Sequence, residues 1–144
     1  MKKIMLFFVS ILFTLASLNA QSYKGDLIVG KYFSPDGVGQ IEIFKRSGKY
    51  YGKTICCNKK RLDINNPNPA LRVRSRIGIE FIHDFEFDGD EEYINGTIYN
   101  PEDGRTYSAK MWLDGRDLNM RGYIGAPILG KTIVFTRIEK QARQ

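Results

Sequence analysis

The sequence predicts an all-β domain, an up-and-down barrel of about eight mainly antiparallel strands. Short segments rich in Ile, Val, Phe, Tyr and Thr recur along the chain, turn dipeptides separate them, and no long segment repeats apolar residues at helical period.

Before the barrel, Lys2 and Lys3 precede an apolar run, 4–18, broken only by Ser10, Thr14 and Ser17, and the small residue Ala20 follows. A basic start, an apolar middle and a small-residue end are the layout of a cleaved secretory signal, expected at 1–20. The run is too short to span a bilayer comfortably, and no basic stop-transfer cluster follows Ala20. Gln21, and no cysteine, directly follows Ala20, so no lipid attachment is expected, and the mature chain is expected to be soluble, periplasmic or secreted. Removing 20 of the 144 residues leaves 124, one domain (21–144) with a single core. Net charge is +6, or +4 without Lys2 and Lys3. That excess is spread along a Pro- and Asn-rich stretch, which argues against a nucleic-acid partner.

Strands are expected at 27–33, 38–45, 49–57, 79–87, 92–99, 105–113, 118–125 and 131–138. Pro35, Asp36 and Gly37 turn the first pair, Ser47 and Gly48 the second, and Asp88-Gly89, Asp103-Gly104 and Asp114-Gly115 later pairs. Asp and Gly tolerate the positive φ that tight hairpins need, so most neighbours in sequence should be neighbours in the sheet. Asn95-Gly96 would cut its strand into fragments too short to pair, so Gly96 reads as a strand glycine or bulge. The long polar connection 58–76, with Pro67 and Pro69, reads as a lid, binding loop or disordered segment placed to cover one end.

Alternation sets the faces. In the fourth strand Ile79, Phe81, His83, Phe85 and Phe87 are expected inward, with Glu80, Ile82, Asp84 and Glu86 outward. In the sixth, Tyr107, Ala109, Met111 and Leu113 oppose Thr106, Ser108 and Lys110. Closure into a barrel is the complete way to hide the edges of such strands; a sandwich is the fallback.

Catalytic signals are weak. His83 is the only histidine, which excludes a His-based triad with a second histidine or a His-rich metal site, and on an apolar face it reads as a core residue or a polar anchor for a ligand. Cys56 and Cys57 are adjacent and lack the partners of a zinc site. The segment 121–132 has three glycines but opens no helix after a parallel strand, so it is no phosphate loop. No catalytic residue, metal or cofactor is expected.

Three stretches, NPNPALRVRSRIGIEFIHDF (66–85), NPEDGRTYSAKMWLDG (100–115) and RGYIGAPILGKTIVFTR (121–137), resemble the domain of unknown function family 2147, small exported bacterial proteins. The resemblance covers essentially the whole mature chain. It implies a lipocalin-like, or calycin-like, β-barrel and no established reaction. The family pattern usually has Trp where this chain has Tyr32, two residues after Gly30, and Trp again where it has Phe135. By analogy with lipocalins, Arg137 is expected over the Tyr32 ring, a cation–π contact closing one end of the barrel.

The function expected is binding of a small lipophilic molecule by an exported barrel. Phe81, His83, Tyr99, Tyr107, Trp112, Arg121 and Tyr123 are the candidate ligand-binding residues. Two alternatives stand beside this. Ile79, Phe81, Phe85, Phe87, Met111 and Met120 are bulky enough to fill the barrel, which would leave an envelope protein acting through its surface. A hydrolase using His83 with a carboxylate is the more distant one.

Overall fold

A computed structural model describes residues 23–56 and 61–139. Eight strands follow in order: β1 (Gly30–Phe33), β2 (Gln40–Arg46), β3 (Lys49–Cys56), β4 (Glu80–Phe87), β5 (Glu92–Asn100), β6 (Arg105–Asp114), β7 (Asp117–Tyr123) and β8 (Lys131–Arg137). Each pairs antiparallel with the next and β8 returns to β1, closing the barrel. The all-β, eight-stranded barrel expected from the sequence is therefore the fold. The segment 1–20 and Cys57 lie outside the described residues, while Cys56 ends β3 exposed. The turn chemistry is visible at Ser47 and Gly48, where φ is 50° and 79°. Both are positive, which joins Arg46 to Lys49 in a two-residue hairpin.

Up-and-down topology sorts the connections. Those at 34–39, 101–104 and 124–130 and the described part, 61–79, of the β3–β4 connection emerge at one end, the open end; those at 47–48, 88–91 and 115–116 lie at the other, with the segment entering β1.

That entering segment departs from the expected strand. Residues Asp26–Ile28 form a 3-10 helix, and the first strand begins only at Gly30. The reason is a set of tyrosines that replace ladder partners for its polar groups. Tyr32 donates to Ile28 O at 2.6 Å, Tyr93 to Gly25 O at 2.6 Å, and Tyr50 to the Asp26 carboxylate at 2.7 Å, where Lys45 also binds. Ile28, fully buried, plugs the end. Arg137 lies over the Tyr32 ring with its guanidinium carbon 4.9 Å from the centroid. It donates to the Tyr32 hydroxyl at 2.6 Å and to the carbonyls of Leu27 and Val29. Gly30 makes room for this: a Cβ there would stand 2.8 Å from an Arg137 nitrogen.

The fourth strand corrects the simple alternation. Tyr50 pairs with Phe85 and Gly52 with Ile82, but Lys53 pairs with Glu80, so the register shifts twice. Asp84 has φ 62°. These irregularities turn Ile82, expected outward, into the core at 0% exposure, and move His83, expected inward, to the outer face. There its ring meets Tyr51 edge to face at 6.5 Å, beside the outer-face pair of Arg46 and Glu80. His83 is therefore not an anchor inside the barrel.

The described part of the long connection, 61–79, is a folded polar element that packs at the open end against the β5–β6 connection, where Asn65 donates to Glu102 O and Arg76 to Pro101 O. Its node is Asp63, whose buried carboxylate accepts from Tyr99 at 2.6 Å, Asn66 at 2.7 Å and Arg74 at 2.8 Å. Burial alone would raise the Asp63 carboxyl; the three donors outweigh it and hold it below its ordinary value. A lowered carboxylate pKa stabilises the fold above the unfolded value of 3.8, and this is lost as pH falls through the lower folded value. Asp63→Asn is expected to cost about 1–3 kcal/mol, moderated because Arg74 can rehydrate. Hydrogen exchange of the amides in 61–76 should report faster opening and a flattened acid dependence; unchanged protection would remove Asp63 from this role.

Candidate functional site

The two halves of the interior differ. Toward the plugged end Tyr32, Tyr50, Phe85, Tyr93, Met111 and Leu118 are nearly or fully buried and fill the space. Toward the open end two cavities remain. One, about 680 Å³, is lined by Phe81, Ile98, Tyr107, Met120, Gly122 and Ile133 from the strands and by Ile124 and Leu129 from the β7–β8 connection. The other, about 550 Å³, lies against Ser34, Thr54, Ile79 and Phe135, with Arg61, Arg76 and Glu102 at its edge. Phe81, Asn100 and Pro101 border both, so Phe81 forms part of the wall between an apolar and a more polar compartment.

Register explains the apolar wall. Met120 faces Ile133 across β7 and β8, and Gly122 faces Lys131; Ile98 opposes Tyr107 across β5 and β6. At Gly122 a Cβ would come within 2.8 Å of Ile98, so the missing side chain keeps volume open beside that residue. The polar groups stand at the rim. Tyr107 donates to Asp103 at 2.5 Å, whose carboxyl is held below its ordinary value first by that hydrogen bond. Lys131 and Asn100 complete the edge. Arg76 is committed to the Leu62 and Pro101 carbonyls and to Glu102, so it shapes the mouth and keeps little donor capacity for a ligand.

The family model described as uncharacterized protein conserved in bacteria (DUF2147) matches residues 30–137, the whole barrel from first strand to last. The chain belongs to this family. Among solved structures, this DUF2147 barrel resembles protein HP1028 from the human pathogen Helicobacter pylori, described as belonging to the lipocalin family. It shares 30% identity over 79% of this chain and 84% of that one, with a TM-score of 0.72. The barrel is therefore lipocalin-like. No curated protein matches the chain.

The candidate residues divide within this frame. Phe81 and Tyr107 line the apolar cavity, and Tyr123 borders its rim. Tyr99 also borders it, but its hydroxyl is committed to Asp63. Trp112 and Arg121 are not cavity residues. Strand parity puts Trp112 on the outer face opposite Asn119, where Lys110 sits 5.5 Å over its ring; Arg121, paired with Thr132, binds the β7–β8 connection. With His83, three of the seven candidates thus lie outside. Ile98, Ile133, Asn100 and Lys131 were missed as lining residues. Counting alternate positions outward from the hairpins would have found Ile98 and Ile133, since Asp103-Gly104 fixes the parity of β5, and β7 that of β8.

Proposed function

We propose that this protein is an exported, non-enzymatic binder of one small, mostly apolar molecule, held in the open half of the barrel. The supporting observation is the cavity of about 680 Å³ with an aliphatic and aromatic wall and polar groups confined to its rim. That is the usual layout of a ligand pocket: apolar lining for affinity and few polar groups for orientation. The lipocalin description of the Helicobacter pylori relative supports the same reading. His83 on the outer face, away from the cavity, supports binding over hydrolysis. Export is inferred from the layout of 1–20.

Native mass spectrometry of the protein from periplasmic and culture fractions, then denaturing extraction, is the direct test. A stoichiometric lipophilic adduct is expected. Ile133→Trp, which puts an indole into the apolar compartment, should weaken displacement of an apolar fluorophore by about tenfold or more while the melting temperature is kept. Absence of both adduct and probe binding would move the function to the outer surface.

A further inference from the structure

The β7–β8 connection presents apolar side chains to solvent at the mouth of the cavity. Ile124, Ile128 and Leu129 are 67%, 84% and 80% exposed. The segment is held in that shape. Arg121 donates from Nε to Pro127 O at 2.6 Å, from Nη2 to Ile128 O at 3.1 Å and from Nη1 to Thr132 Oγ1 at 2.8 Å. Backbone bonds from Leu129 to Ala126 and from Gly130 to Pro127 close the turn. Gly130 packs so tightly that a Cβ would stand 2.5 Å from Gly122 O. A guanidinium bound twice to this short turn and once to Thr132 at the start of β8 holds the turn in the shape that exposes its aliphatic residues.

The asymmetry extends to the whole end. Among the described residues, eight of the twelve large exposed hydrophobic residues sit on the open-end connections: Val38, Leu62, Ile64, Val73 and Ile77 join the three above. Charge follows the same axis. Segments 34–39, 61–80, 101–105 and 124–131 carry six Lys or Arg against five Asp or Glu, whereas 23–29, 46–49, 88–92, 114–117 and 137–139 at the plugged end carry five against eight. An apolar, nearly balanced end opposite an acidic one orients the molecule with the cavity mouth, and not the plugged end, toward a negative surface. Exposed aliphatic residues on a protruding turn, with cations around them, suit an anionic lipid interface, where apolar side chains enter the acyl boundary and Lys and Arg meet headgroups.

We propose that the open end docks on an anionic phospholipid bilayer, with Ile124, Ile128 and Leu129 inserted and the cavity mouth facing the membrane. Docking needs only the turn and the charge, so it stands independently of what the cavity holds. The test uses the chain from Gln21, so that the apolar run 4–18 contributes nothing; the barrel closes within Gly30–Arg137. Flotation compares vesicles of phosphatidylcholine alone with vesicles containing about 30% phosphatidylglycerol. Binding to the second and little to the first is expected, falling as salt rises. Ile128 is the residue to change, because Ile124 and Leu129 also line the cavity. Ile128→Ser should lose about fivefold or more in vesicle binding while keeping its melting temperature and fluorophore binding. Ile128→Trp should shift its emission to the blue on anionic vesicles alone. Failure of the unaltered chain to float with either vesicle, or equal flotation of Ile128→Ser, would overturn the proposal. A dimer that Ile128→Ser dissolves, without vesicle binding, would assign the turn to a second copy instead. Fluorophore binding without vesicles reports on the cavity separately.

Discussion

Tyr32→Ala is expected to cost about 3–5 kcal/mol, because it removes a fully buried ring at the centre of the plugged end. The hydroxyl can be separated from the ring. Burial pushes it up to about 12 despite Arg137, so at neutral pH it remains a donor to Ile28 O while accepting from Arg137. Tyr32→Phe deletes both bonds with little loss of volume and should cost about 1–3 kcal/mol, since a buried carbonyl is left without its partner. Gly30→Ala tests the same assembly from the other side. Its new Cβ would occupy space 2.8 Å from Arg137, so it should act by displacing the guanidinium. Combined with Arg137→Met, it should therefore lose the part of its cost that comes from the guanidinium and keep the part that φ 156° at residue 30 imposes on any side chain, so the double variant should lose less than the sum of the two separate losses. Urea denaturation with unchanged m-values gives all five numbers. Full additivity of Gly30→Ala and Arg137→Met would show that Gly30 serves the backbone and not the arginine.

Much of the barrel was legible because its signals are local. Strand length, the Asp-Gly turns and the alternation in β6 depend on neighbours in sequence, and Tyr107, Ala109, Met111 and Leu113 all follow the expected parity. Two things depended on pairs distant in sequence. The 3-10 helix at Asp26–Ile28 is held by Tyr32, Tyr50, Tyr93 and Arg137, so its β-prone residues, Leu27 and Ile28, read as strand. In β4 the shifts arise where β3 and β5 impose different registers: the first reverses the faces of Ile82 and His83, and the second restores the expected parity by Phe85. His83 was misplaced for that reason. The outward positions of Trp112 and Arg121 were legible from parity. They were candidates on chemistry alone: a guanidinium or an indole can hold a ligand's polar head, and residue type does not report which face a side chain occupies.

Gly96→Ala should run against the intrinsic preference of a strand. Glycine weakens a strand, so an exposed site would gain from alanine. Here a Cβ would fall 2.2 Å from the ring of Phe85, a fully buried side chain with nowhere to retreat, and the expected result is a loss of about 2–3 kcal/mol. Two explanations for the glycine compete: backbone freedom at the Asn95 bulge, where φ is 61° at Asn95, and close approach of the Phe85 ring. They differ in what a second substitution does. Phe85→Leu by itself leaves a void and costs stability, yet it clears the space above residue 96. If close approach is the cause, Phe85→Leu with Gly96→Ala should be more stable than the sum of the single losses predicts, by about 0.5–3 kcal/mol in a double-mutant cycle. If the bulge is the cause, the two losses add. The negative φ of Gly96 itself, which any residue can adopt, favours the first outcome, since only the ring then stands between alanine and a regular strand.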